Sequence, residues 1–203
     1  RESLVEELRA SGAAPYGIPI GGSTPVGAAG YAAALFEMSE QFAAAGIEPV
    51  AIVHTSSSGG THAGLVAGRA LLRERGHHVP DVLAIGVAKG VNMGLPDVAE
   101  MARDTVEMLG GSRDLVEPGD VQIDPDWMGD DYAVPTRAGD AAIRWAATHG
   151  GWVLDRTYSG KGFAGLIGNA EAGRWRPGGD IVFVHTGGQP AIFAPEAGLA
   201  LER

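Results

Sequence analysis

HTSSSGGTHAG, residues 54–64, is the stretch that decides how this chain reads. The apolar run PVAIVH (49–54) leads into it, small residues follow, and a helical pattern opens at Thr61. A strand that ends in a small-residue loop and passes into a helix is the unit from which parallel sheets are built. The same unit recurs outward from it. YGIPI (16–20) precedes GGSTP (21–25) and an Ala-rich helix from about Val26 to Ala45. VLAIGVA (82–88) precedes a helix near 96–109, a polar loop (124–135) precedes one near 136–149, WVLD (152–155) precedes one near 161–173, and IVFVH (181–185) closes the pattern. The helix after the Ser/Gly loop runs from about Thr61 to Arg75. Strands apolar on both faces predict an α/β fold, a doubly wound and mostly parallel sheet flanked by helices. SLVEELRASG at the start reads as an amphipathic helix, with Leu4, Val5 and Leu8 on one face, a Ser3/Glu6 capping box and Gly12 as its stop.

The chain has 203 residues, with 15 Lys+Arg against 25 Asp+Glu and a formal charge of −10, which argues against a nucleic-acid partner. No apolar run approaches the ~20 residues of a membrane span, and no charged-then-apolar leader stands before the first helix, so a soluble, cytoplasmic chain is expected. There is no cysteine, which removes disulfides, thiolate metal sites and Cys nucleophiles. No linker or repeat divides residues 1–203, so they are expected to form a single α/β region. EPGDVQIDPDWMGDD (117–131) is its least regular stretch, expected to serve as a lid or an active-site loop.

In open parallel sheets ligands sit beyond the carboxyl ends of the strands, so the loops carry the chemistry. In 54–64 small residues let the backbone approach a ligand, and the first N–H groups of the following helix form a ready anion site. With no Lys or Arg there, a phosphate would rest on backbone N–H groups and the hydroxyls of Ser57, Ser58 and Thr61, with Gly59 and Gly60 giving access. The competing reading is a flexible turn with Thr61 capping the helix. The loop matches neither the P-loop nor the dinucleotide pattern. RTYSGKGFAG (156–165) puts Tyr158 and Ser159 between a strand and a helix, HTGGQPAIF (185–193) puts Thr186 before a Gly-Gly turn, and GDDYAVP (129–135) offers Tyr132 beside acidic residues. His54, His62 and His185 lie near strand ends without HExxH spacing, and GxSxG is absent, so neither a metal site nor a serine hydrolase is expected.

Together GGSTPVGAAGY (21–31), SSSGGTHAGL (56–65), DDYAVP (130–135), DRTYSGK (155–161) and HTGGQPAIF (185–193) resemble, in order and spacing, one family of pyridoxal-phosphate (PLP) enzymes. These are the D-cysteine desulfhydrases and 1-aminocyclopropane-1-carboxylate (ACC) deaminases, and the resemblance runs from about Pro15 to Phe193. It implies the tryptophan-synthase-β-like fold, fold type II among PLP enzymes, with PLP as cofactor and its phosphate held by Ser57, Ser58, Gly59, Gly60 and Thr61. It also implies catalytic roles for Tyr158 and Tyr132, a small amino-acid substrate and a homodimer. The deaminases carry Glu after the first Tyr and Leu in H-L-G-G, where this chain has Ser159 and Thr186. A neutral hydroxyl, from Thr186 with Ser159 nearby, would then face the pyridine nitrogen, a milder electron sink suited to β-elimination. The expected reaction is D-cysteine to pyruvate, hydrogen sulfide and ammonia. ACC deamination and a non-catalytic PLP- or phosphate-binding subunit are the alternatives.

The family holds PLP on a lysine in an N-terminal G-G-N-K segment, and that segment is absent here. The two lysines are Lys89, outside the matched motifs, and Lys161, which corresponds to the lysine of Y-x-G-K. The chain is therefore expected to be the C-terminal part of a longer enzyme, the lysine coming from an N-terminal segment or a partner chain.

Overall fold

The apolar runs do pair, and in parallel. The computed structural model describes residues 2–94 and 97–193. Strand β1 (Ala51–Ser56) lies between β2 (Asp81–Gly86) and β4 (Ile181–Val184), and β3 (Gln122–Asp124) adds outside β2, giving the order β3, β2, β1, β4. Helices α1 (Glu2–Ala10), α2 (Pro25–Ala45), α3 (Gly60–Glu74), the short α4 (Lys89–Asn92), α5 (Val98–Met108), α6 (Arg137–Gly150) and α7 (Ser159–Glu171) make up the rest of the regular structure.

Strand β1 is buried along its whole length, and its side chains alternate between two helical layers. Ile52 packs with Leu35, Leu65 and Leu72 of α2 and α3, while Ala51 and Val53 pack on the opposite face with Leu83, Ile85 and Phe183. Each fully buried Leu or Ile contributes about 1.5–3 kcal/mol relative to exposure. Helices α2, α3 and α5 pack on one another over one face, and α6 and α7 pair over the other, so the sheet is doubly wound as expected. α2 starts where Pro25 follows Thr24, whose hydroxyl accepts from the Gly27 N–H at 3.1 Å, a cap worth about 1 kcal/mol. α6 starts the same way on Thr136.

Four local expectations are corrected. YGIPI (16–20) is no strand: a 3-10 turn spans Ile20–Gly22, and Tyr16, Ile18 and Ile20 are exposed. WVLD (152–155) also lies outside the sheet, Trp152 and Val153 being exposed while Leu154 and Asp155 are buried. The apolar face of α1 buries nothing among the described residues, and Ser3 lies inside that helix rather than capping it. Conversely, the irregular stretch 117–131 contributes β3, because the open edge of β2 supplies a ladder for three residues. The stretch is anchored by Asp120, 6% exposed, which accepts from Arg69 at 2.7 Å and from both terminal nitrogens of Arg73 at 2.8 Å.

Candidate active site

The cleft opens where the sequence pattern puts it, beyond the carboxyl ends of β1 and β2. A cavity of about 1040 Å³ there is lined by Ser57 and Ser58 after β1, Ala88 after β2, and Tyr132, with Pro19 and Ile20 on the rim. Ser57 and Ser58 lead directly into the start of α3. Gly59 sits at the N-cap in the left-handed conformation (φ +81°), which a side-chain-bearing residue avoids, and no side chain caps the helix. Thr61 is therefore not the cap; it stands half-buried in the first turn. The leading N–H groups of α3 have no intrahelical acceptor and lie at the positive end of a 15-residue helix. A Cβ on Gly60 would come within 2.9 Å of the Ser23 hydroxyl, and the buried hydroxyls of Ser23 and Ser56 have no hydrogen-bond partner. An uncapped helix start, two orphaned hydroxyls and a backbone cleared of side chains suit the phosphate group of PLP.

Beneath this turn lie two buried imidazoles. His54 of β1 and His62 of α3 meet Nε2 to Nδ1 at 3.1 Å, and His54 Nδ1 lies 2.9 Å from the Thr55 carbonyl. A carbonyl only accepts, so His54 carries its proton on Nδ1 and accepts at Nε2 from the N–H of His62 Nδ1, an assignment made from the network. Both rings are then neutral, and His62 Nε2 has no partner. Burial lowers the His54 pKa to about 4 and holds that of His62 well below the usual imidazole value.

The other predicted residues fall into two groups. Tyr158 precedes α7 and donates its hydroxyl to the Thr55 carbonyl at 2.7 Å, and the Thr186 hydroxyl after β4 lies 3.4 Å from that phenol. Burial pushes the Tyr158 pKa up to about 12, so it works as a neutral hydrogen-bonding phenol, and Tyr132 is close enough to act on it electrostatically. Tyr132 itself is 40% exposed at the mouth of the cleft. Ser159 is placed differently: its buried hydroxyl donates to Asp155 Oδ1 at 2.6 Å and accepts from the Asp155 N–H at 2.9 Å.

Asp155 went unread in the sequence. Its buried carboxylate accepts from Thr157 N, Tyr158 N and Ser159 N at 2.8–2.9 Å as well as from Ser159 Oγ, which shapes the turn that carries Tyr158. Gly188 lies against it, since a Cβ there would meet Oδ1 at 2.0 Å. An Asp followed four residues later by Ser at a helix start was the available signal. The His54–His62 pair had a weaker one, since eight residues that include a turn do not report a contact. The exposed Lys89 ion-pairs with Asp131 at 2.8 Å, and the buried Lys161 donates to backbone carbonyls, so neither amine points into the cleft unengaged.

The doubly wound parallel sheet is that of the fold type II PLP enzymes, and over residues 1–187 the sequence matches the family described as pyridoxal-phosphate dependent enzyme. The chain belongs to that family. Within it, the chain is similar to the D-cysteine desulfhydrases of Salmonella paratyphi C (strain RKS4594), 36% identical over 194 residues, and of Serratia proteamaculans (strain 568), 36% identical over 192. These alignments take in 95% and 94% of this chain and 56% of each relative, so the chain spans little more than half the length of the curated relatives it matches. A solved structure described as an ACC deaminase homologue superposes with a TM-score of 0.79 at 32% identity, over 92% of this chain and 53% of that one. A threonine deaminase from T.th., at TM-score 0.50 and 19% identity over 82% of this chain and 59% of that one, shares the fold.

Proposed function

We propose that these residues are the C-terminal, cofactor-phosphate-holding part of a PLP-dependent lyase that converts D-cysteine and water to pyruvate, hydrogen sulfide and ammonia. The observation that carries the reading is the uncapped start of α3 behind Gly59, directly after Ser57 and Ser58, which line a cleft with Tyr132. The likeness to D-cysteine desulfhydrases along 95% of the chain supports the substrate.

In this reading the N–H groups of Gly59 and Gly60 and the hydroxyls of Ser57, Ser58 and Thr61 hold the phosphate. When bound, PLP supplies the electron sink that lets the Cα–H bond of an amino acid break and a β-substituent leave. Tyr158, neutral and anchored on the Thr55 carbonyl, presents its remaining lone pair together with the Thr186 hydroxyl. With Ser159 committed to Asp155, Thr186 would be the hydroxyl left to meet the pyridine nitrogen of bound PLP. A neutral hydroxyl there would not hold a full proton as a carboxylate would, leaving a milder sink suited to expulsion of a good leaving group. Tyr132 at the mouth orients the substrate carboxylate or the sulfur. A lysine to carry the cofactor and take the Cα proton would have to come from a segment or partner chain beyond these 203 residues. A homodimeric assembly and a cytoplasmic setting complete the reading, and sedimentation of the complete enzyme would test the assembly.

ACC deamination is the second reading, favoured by the superposition on an ACC deaminase homologue. Side-by-side assays of the complete enzyme, pyruvate from D-cysteine against 2-oxobutanoate from ACC, decide between them. A specificity constant for ACC equal to or above that for D-cysteine overturns the desulfhydrase reading. Ser159→Glu with Thr186→Leu is expected to move the ratio toward ACC.

A further inference from the structure

Both lysines of the chain reach the same loop. Lys161, on the first turn of α7, is fully buried, and its Nζ donates to the carbonyls of Met128 at 2.7 Å, Asp131 at 2.8 Å and Tyr132 at 3.0 Å. An ammonium has three N–H donors, and all three are used. From the rim, Lys89 holds the Asp131 carboxylate at 2.8 Å, and the other oxygen of that carboxylate accepts from the Tyr132 N–H at 2.8 Å. The loop, residues 128–132, has no helix or strand of its own, turns on Gly129 in the left-handed region (φ +72°), and is closed by a single backbone bond, Val134 N–H to Asp131 O.

Burying an ammonium is unfavourable unless its donors are met, and here all three are. Burial lowers the Lys161 pKa, opposed by the Asp131 and Asp155 carboxylates. What the buried charge secures is geometry: three carbonyls about 30 residues away point at one atom. We infer that Lys161 is a positioning residue that fixes the Met128–Tyr132 loop through its carbonyls and thereby sets where the Tyr132 ring stands at the mouth of the cleft. Its consequence for turnover rests on the reading of that cleft given above; its grip on the loop does not. Lys89 is the secondary tie, solvent-exposed and open to salt screening.

The test has one arm without substitutions. In the 203-residue chain labelled with ¹⁵N-lysine, two side-chain signals are expected, assigned by Lys89→Arg, and the Lys161 ammonium protons exchange with water far more slowly than those of Lys89. In Lys161→Ala, amide exchange across 128–134 accelerates by about tenfold or more while β1 and α3 keep their protection, and added methylammonium restores it. In Lys161→Met the loop is loosened in the same way, and the filled side-chain space blocks the rescue. In the complete enzyme Lys161→Ala lowers kcat by roughly 10- to 100-fold with PLP affinity unchanged, again recovered by methylammonium. A Lys161 ammonium that exchanges as fast as that of Lys89, or unchanged loop exchange in a folded variant, overturns the inference. If substitution prevents folding, the wild-type lysine signals decide. Loss of the PLP reading alone would appear as wild-type enzyme that fails to bind PLP while both exchange results stand.

Discussion

Acidification tests the buried imidazole pair, and the size of the effect follows from its geometry. His54 and His62 share one hydrogen bond, the second His54 nitrogen donates to Thr55 O, and a further proton would have to sit on a buried ring with no acceptor. The unfolded chain takes up protons at the ordinary imidazole value of 6.5, whereas folded His54 takes one up only near 4. The stability this provides is complete above the unfolded value and is lost as the pH falls from 6.5 toward 4. At about 1.36 kcal/mol per pH unit, that interval is worth about 3 kcal/mol for His54, of which about 2 is gone by about pH 5. His62, lowered in the same direction, adds to the loss. Against a typical total of about 5–15 kcal/mol this is a large fraction. Urea unfolding followed by tryptophan fluorescence between about pH 7.5 and 5 measures it, above the range in which most carboxylates titrate. The control is the double variant His54→Leu, His62→Leu, which removes both polar partners together; its stability is expected to vary much less with pH. An unfolding free energy flat over that range in the wild-type chain, or an unaltered slope in the double variant, would refute the reasoning.

Three further outcomes are expected. Gly59→Val, which puts a β-branched side chain where φ is +81°, abolishes PLP binding in the complete enzyme by equilibrium titration, while Thr61→Ala weakens it by about 1–3 kcal/mol; wild-type affinity in Gly59→Val would move the phosphate site elsewhere. Borohydride reduction of the 203-residue chain with PLP leaves both Lys161, held by three carbonyls, and Lys89, paired with Asp131, without stoichiometric label on peptide mapping. Asp120→Ala strips Arg69 and Arg73 of their shared buried carboxylate and lowers the unfolding free energy by about 3 kcal/mol, read by the same urea assay, with PLP affinity unchanged because Asp120 does not line the cleft.

The sequence by itself determined the layered fold and the small-residue turn that opens α3. Runs such as AIVHTS and DVLAIG are apolar on both faces, so wherever they settle they require cover on both sides, and a small-residue turn into a helix leaves N–H groups pointing outward under any packing. It also yielded the family resemblance, because the motifs are contiguous stretches. Tertiary structure decided which extended runs joined the sheet: WVLD, three of its four residues apolar, stays outside it, whereas QID became β3 because the edge of β2 was open. It decided the pairing of His54 with His62 and the reach of Lys161 to a loop some 30 residues earlier. Periodicity reports which face of an element is apolar. Which donor meets which acceptor across the core is set only when separate elements pack, and an unmet buried donor then costs more than any local preference returns.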